Sequence, residues 1–314
     1  MSNSIPNALL RLGTRGSPLA LVQAHMVRAA LCATHGWAED DVAIVPIRTT
    51  GDRVQDRALA EIGGKALWTK ELDRALLDGE IDCAVHSMKD VETTRPAAIR
   101  IAAMLPRADV RDRLIGAASI DSLPQKARIG TSSPRRAAQL RRLRPDLQPM
   151  PFRGNVDTRL AKLAAGEVDA TLLAAAGLDR LGRAEIGIPI PTDVMLPAPA
   201  QGAVGIEARA ADARVLGWLA AISHAPTLAC VLLERALLAA LHADCHSPVA
   251  GLATLETIGG GDQVTINAEL LAEDGSAHVT GSMSGHIADP GIARALAEDL
   301  LARAPPSVRR LFAA

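Results

Sequence analysis

Arg11-Leu12-Gly13-Thr14-Arg15-Gly16-Ser17-Pro18 is echoed by Arg128-Ile129-Gly130-Thr131-Ser132-Ser133-Pro134. Each stretch reads as a strand end, a polar turn and a helix start. Ser17 is placed as N-cap with Pro18 at the first helical position, and Pro134 as a helix-opening proline. A second echo follows each at a distance: Gly79-Glu80-Ile81-Asp82, then Gly166-Glu167-Val168-Asp169. The two pairs occur in the same order. They predict two α/β lobes of similar build around a cleft, a usual place for a ligand.

Working outward, Leu9 to Gly13 reads as a strand, with a helix to about Thr34 that stops at Gly36. Val42 to Arg48 is a strand, and Thr49 to Gly64 is polar and long enough to be a flap. A helix from about Trp68 to Leu77 leads to a strand over Ile81 to Val85, and Ile99 to Leu105 is another. After the second lobe, Gly202 to Ala208 reads as a strand and Asp212 to Ile222 as a helix. The style then changes. Thr227 to His242 is a long helix, and Val249 to Thr257, Val264 to Leu271 and His278 to Ser284 alternate like an antiparallel sheet. Gly259-Gly260-Gly261 supplies one turn, and about Pro290 to Arg303 a closing helix. The expected domains are lobe 1 (1–105 and 202–223), lobe 2 (106–201) and a smaller C-terminal α+β domain (224–314).

The 314 residues hold no Tyr, two Phe and three Trp, with a net charge of −1. Aromatic stacking on nucleic-acid bases has almost no material, and a generally basic binder is excluded. The first ten residues lack a basic region followed by an apolar one, so no export signal is read there. Leu228 to Ala243 is apolar but carries Glu234 and Arg235 in its middle, which argues against a bilayer span. The four cysteines show no close pairing and are expected as free thiols of a cytoplasmic protein. Nothing points to an obligate oligomer, so a monomer is expected.

Chemistry concentrates where Asp82-Cys83-Ala84-Val85 runs into His86-Ser87-Met88-Lys89-Asp90-Val91. An α/β sheet presents ligand-binding groups just past the carboxyl ends of its strands. The blander alternative is a solvated Lys89–Asp90 pair beside a core histidine. Both strand–turn–helix junctions also offer free N–H groups and hydroxyls, with Arg15 beside one and Arg135 and Arg136 beside the other. Arg153-Gly154-Asn155 repeats the idea, with Asn155 as N-cap of a helix carrying Arg159. Arginine suits bidentate binding of carboxylate or phosphate, so the ligand is expected to carry several anionic groups. No GxxxxGK[ST] loop is present, and Gly63-Gly64-Lys65 does not match one, so a nucleotide is not indicated. Arg141, Arg142 and Arg144 read as a solvated helix face.

Cys245 lies in His242-Ala243-Asp244-Cys245-His246-Ser247-Pro248. Three readings stand: a metal held by His242, Cys245 and His246, a nucleophilic thiolate, or an inert loop thiol. Residue chemistry alone leaves a two-lobed anion-binding protein with a candidate thiol. A non-catalytic binding protein for a dicarboxylate is the competing class.

His86-Ser87-Met88-Lys89-Asp90-Val91, Gly130-Thr131-Ser132-Ser133 with Arg135-Arg136, Arg153-Gly154-Asn155-Val156, Leu173 to Leu181 and Gln201-Gly202-Ala203-Val204-Gly205-Ile206-Glu207 together resemble the porphobilinogen deaminase family, the hydroxymethylbilane synthases. The resemblance runs from Leu9 to at least Pro248. It implies a periplasmic-binding-protein-like pair of lobes and a transferase that joins four porphobilinogen molecules into hydroxymethylbilane with loss of ammonia. It also implies a dipyrromethane cofactor on a cysteine thioether, by motif position Cys245, and no metal. It makes Asp90 the catalytic acid, which also contacts the cofactor. Lys89, Arg135, Arg136 and Ser133 become cofactor binders, and Arg15, Ser17, Arg153, Arg159 and Lys65 substrate binders. Neither nucleic acid nor membrane is implied. The family usually places two glycines before its cofactor cysteine; here they are Ala243 and Asp244. The loop must then form without the positive φ that glycine allows, and Asp244 should disfavour the thiolate.

Overall fold

The computed structural model describes residues 8–47, 69–258 and 261–312. These fall into two compact units, one of residues up to Arg107 with Ala203–Leu228, the other of Ala108–Gly202 with Ala229 onward.

In the first unit, β1 (Leu10–Arg15) leads into α1 (Pro18–His35). Ser17 accepts a hydrogen bond from the Ala20 amide and Pro18 opens the helix, as the sequence predicts. Gly36 closes it at φ 69°, a left-handed position that suits glycine. β2 (Val42–Ile47), α2 (Lys70–Leu77), β3 (Cys83–Ser87) and β4 (Ile99–Met104) follow. Arg48, the segment 49–64 and Trp68 lie outside the described residues.

The second unit starts with β5 (Asp112–Ile115), β6 (Arg128–Gly130) and α3 (Pro134–Leu143). It continues with β7 (Gln148–Met150), α4 (Val156–Ala164), β8 (Ala170–Ala174), α5 (Ala175–Arg180) and β9 (Ile188–Pro189). The chain returns to the first unit with β10 (Val204–Arg209) and α6 (Ala213–Ala221). It then runs through α7 (Ala225–Ala240) to β11 (Val249–Ile258), β12 (Gly261–Leu271), β13 (His278–His286), α8 (Ile292–Arg303) and α9 (Pro306–Arg309).

Two of the three sheets share one plan. The first has the order β2-β1-β3-β10-β4, the second β7-β6-β8-β5-β9. In each, the second strand (β1 or β6) lies parallel to both neighbours. The fourth strand, β10 or β5, is antiparallel to the strands on either side of it. In the first sheet that strand comes last in the chain; in the second it comes first. The sequence echoes are the joints of this plan. Arg11 Nη2 reaches Asp82 at 2.7 Å, and Arg128 Nη2 reaches Asp169 at 2.9 Å. Each arginine also donates its own amide to the same carboxylate. Gly13 and Gly130 are equivalent too. A Cβ would fall 2.3 Å from Ile81 Cδ1 in one and 2.6 Å from the Phe152 ring in the other.

The third sheet is the antiparallel β11-β12-β13, packed under α8. Glu234, expected as a charge that interrupts an apolar helix, is fully buried in α7 and accepts the amides of Ala200 and Ala253. Arg141 and Arg142 depart from the solvated face expected of them. Arg141 donates to the Glu273 carbonyl, and Arg142 Nε lies 3.0 Å from Glu269 on β12. Arg144 instead pairs with Asp146 in its own turn. Among the described residues no single helix is long and apolar enough to cross a membrane.

Candidate active site

In the first unit a pocket opens at the end of β3. Its lining includes Arg15, Ser17, Gln23, His86, Ser87 and Asp90. Asp90 ends a short 3₁₀ turn, Met88–Asp90, directly after the strand. The buried Met88 anchors the turn and donates its amide to the Ala203 carbonyl at 3.1 Å. Gln23, buried on α1, exchanges hydrogen bonds with Ser87 at 2.8 and 3.2 Å. Arg15, Ser17 and Asp90 are thus brought to one pocket. Lys89 sits in the same turn without lining it, and Lys65 lies outside the described residues.

Behind the pocket wall, His86 Nε2 lies 3.2 Å from Glu207 Oε2. Arg95 Nε and Nη2 grip Glu207 at 2.8 and 2.9 Å. Burial would raise the Glu207 carboxyl, but His86 and Arg95 outweigh it and hold it at about 2. Sequence reading assigned no role to Gln23, Glu207 or Arg95. Glu207 does carry a faint signal, as an acid directly after the apolar run Val204-Gly205-Ile206.

In the second unit Ser133 caps α3, accepting the Arg136 amide at 3.4 Å. Arg135 and Arg136 follow, but their guanidiniums do not point to solvent. Both are buried, and they reach Asp112 at 2.8 and 2.6 Å. Burial alone would raise the Asp112 carboxyl, yet the two cations hold it far below the usual range. Burial in turn lowers the Arg135 guanidinium. Arg135 also donates to Gln139 and to the Leu196 carbonyl, and Arg136 to the Leu172 carbonyl. Asn155 caps α4 by accepting the Thr158 amide, and Arg159 Nε donates to the Gly154 carbonyl. Arg153 Nη1 is buried with no hydrogen-bond partner. An orphaned buried cationic donor two residues before the capped start of α4 suits a ligand bearing carboxylates.

All four cysteines are free thiols, and only Cys245 is exposed. By contrast, burial pushes the Cys83 thiol up, away from reactivity. The Cys245 loop is built without glycine in an unexpected way. Ala243 and Asp244 are absent from the positive-φ residues; His242 takes that conformation instead, at φ 52°. The Ala243 amide bonds to the Leu238 carbonyl and the His242 amide to Ala239, a Schellman ending for α7. Asp244 Oδ1 then accepts the His246 amide at 2.8 Å. The carboxylate expected to disfavour the thiolate is engaged in shaping the turn. Among the described residues no three His, Cys, Asp or Glu side chains gather as a metal site.

These features define a class: an α/β protein of two like-built sheets with arginines at capped helix starts and a smaller α+β part bearing an exposed thiol. Residues 10–217 match the family model for the porphobilinogen deaminase dipyromethane cofactor binding domain, and residues 228–302 its C-terminal domain. A porphobilinogen deaminase of Sphingopyxis alaskensis is 59% identical over 98% of each chain. One of Paracoccus denitrificans is 51% identical over 96% of each. Among solved structures, the BvgS VFT2 domain of Bordetella pertussis aligns at a TM-score of 0.40 and 13% identity, over 68% of this chain and 84% of that one. That likeness is too weak to bear on fold or function. The chain belongs to the porphobilinogen deaminase family. It is a transferase of tetrapyrrole biosynthesis that makes hydroxymethylbilane from porphobilinogen, with dipyrromethane as cofactor.

Proposed function

We propose that Asp90 is the catalytic acid of this reaction and that Cys245 carries the cofactor as a thioether. The observation that carries the first assignment is the pocket at the end of β3, where Asp90 lies with Arg15 and Ser17. Porphobilinogen brings carboxylates and an amine. Arg15 and Ser17 hold the carboxylates. As ammonia leaves, positive charge develops on the substrate's pyrrole, and the Asp90 carboxylate stabilises it. Asp90 also moves the protons lost and gained as the amine departs and the coupled ring regains aromaticity.

The cofactor, when bound, supplies the pyrrole end from which the chain grows. The exposed thiol of Cys245 supports its fit to this chain. Cys245 attaches it through the thiolate. Lys89, Ser133, Arg135 and Arg136 bind its carboxylates, the last two from guanidiniums already oriented by Asp112. Arg153, Arg159 and Lys65 bind those of incoming substrate. We further assign three domains (1–105 with 202–223, 106–201, 224–314) to a cytoplasmic monomer that engages neither nucleic acid nor membrane.

The test is the intact mass of denatured protein beside Cys245→Ser. An excess equal to two porphobilinogen-derived units, absent from the variant, is expected. A bare polypeptide mass that stays bare after incubation with porphobilinogen would overturn the Cys245 assignment.

A further inference from the structure

Arg95 belongs to no helix or strand, yet its side chain is only 8% exposed and every donor is used. Nε and Nη2 form a fork on Glu207 of β10. Nη2 also pairs with Asp73 of α2. Nη1 pairs with Glu92 and reaches Thr69 Oγ1 at 3.4 Å. Thr69 Oγ1 in turn lies 2.8 Å from both Glu92 oxygens.

The cluster meets the proposed catalytic turn from two sides. Before Asp90, His86 lies against the carboxylate that Arg95 grips. After Asp90, Glu92 ends on Arg95 itself. The segment from His86 to Glu92 is therefore pinned at both ends on one guanidinium–carboxylate pair. His86 and Thr69 of the cluster also line the Asp90 pocket. A fork of charge-assisted bonds fixes direction as well as distance.

We infer that Arg95 is a positioning residue, which sets the Asp90 carboxylate in the pocket through Glu207 and Glu92. The inference rests on the role proposed for Asp90. Arg95→Lys keeps the charge and removes the fork; Glu92→Gln releases one end and leaves Glu207 gripped. Each variant is taken through intact mass for cofactor loading, thermal melting, and kcat and KM for porphobilinogen. Arg95→Lys should remain folded and loaded, with kcat lower by about tenfold or more and KM within about twofold, since small misplacement of a reacting group costs rate. Glu92→Gln should lower kcat by roughly threefold in the same sense.

Asp90→Asn and the double variant Asp90→Asn/Arg95→Lys complete the set. A residue that acts only through Asp90 costs nothing further once Asp90 is disabled. Folded, loaded Arg95→Lys with wild-type kcat and a lower melting point would overturn the inference, and so would an equal further loss in the Asp90→Asn background. Should Arg95→Lys not fold, Glu92→Gln decides alone: a wild-type kcat would overturn the inference. Full activity in Asp90→Asn would instead remove the Asp90 reading itself, a result distinct from any failure of Arg95.

Discussion

The two five-stranded sheets start from one plan and put their charge in different places. The Arg11–Asp82 and Arg128–Asp169 clasps are equivalent, as are the caps Ser17 and Ser133. Past the clasp, the first sheet runs into His86-Ser87-Met88-Lys89-Asp90, the second into Leu173-Ala174-Ala175-Ala176-Gly177. Past the cap, the first has Leu19-Ala20 and the second Arg135-Arg136. Each also buries an acid on its antiparallel strand, Glu207 or Asp112, with different partners. The shared plan supplies strand ends and helix starts. The residues seated there differ: a carboxylate at the strand end of one, cations at the helix start of the other.

The largest expected effect tests that division. Asp90→Asn keeps the shape and removes the charge. It should lower the rate of ammonia release by about 10²–10⁴-fold, the range for a lost acid–base or charge-stabilising group. Rates near wild type would mean that the strand end of the first sheet holds no chemistry the second lacks.

Asp112→Asn addresses the other side. It strands two buried guanidiniums, and breaking a buried pair from one partner costs about 3–5 kcal/mol. Chemical denaturation should show that loss. An unchanged midpoint would mean Arg135 and Arg136 do not depend on Asp112.

Glu207 gives the first sheet an acid sensitivity. Its carboxyl is held at about 2 in the fold against an ordinary 4.5. A depressed folded value contributes stability above the ordinary value and loses it as pH falls through the folded one. Stability should therefore drop as pH falls from about 4.5 towards 2, and the drop should shrink in Glu207→Gln. Equal acid slopes in both proteins would contradict the pairing with His86 and Arg95.

The parts legible in sequence were local. N-caps, the glycine stop at Gly36 and the paired strand–turn–helix joints depend on neighbours a few residues apart, and they stand where the pattern put them. The partners that qualify the site are remote. Asp112 precedes Arg135 by a whole strand and turn, and Arg95 meets Glu207 across 112 positions. No spacing rule reports such pairs, so the burial of Arg135 and Arg136 against Asp112 and the grip of Arg95 on Glu207 went unread. The Cys245 loop turns on a residue that sequence reading passed over. Its positive φ is taken by His242, a residue type that tolerates it, and not by Ala243 or Asp244.

The smallest effect sharpens the comparison most, because it acts on a feature the two sheets share. Asp82 is nearly buried and answers two arginines, Arg11 at 2.7 Å and Arg209 at 3.3 Å. Asp169 is partly exposed and, among the described residues, pairs with Arg128. Asp82→Asn should cost about 2 kcal/mol, since buried charge-assisted bonds are lost while both cations remain. Asp169→Asn should move the melting point barely beyond error, because exposed pairs are screened and offset by side-chain entropy. If the two substitutions cost the same, the clasp would matter for its backbone bond to the arginine amide, which both sheets keep, rather than for its charge. If Asp82 costs more, as expected, its burial and its second partner, Arg209 on β10, set the two clasps apart, and the equivalence of the two sheets ends at their fourth strand.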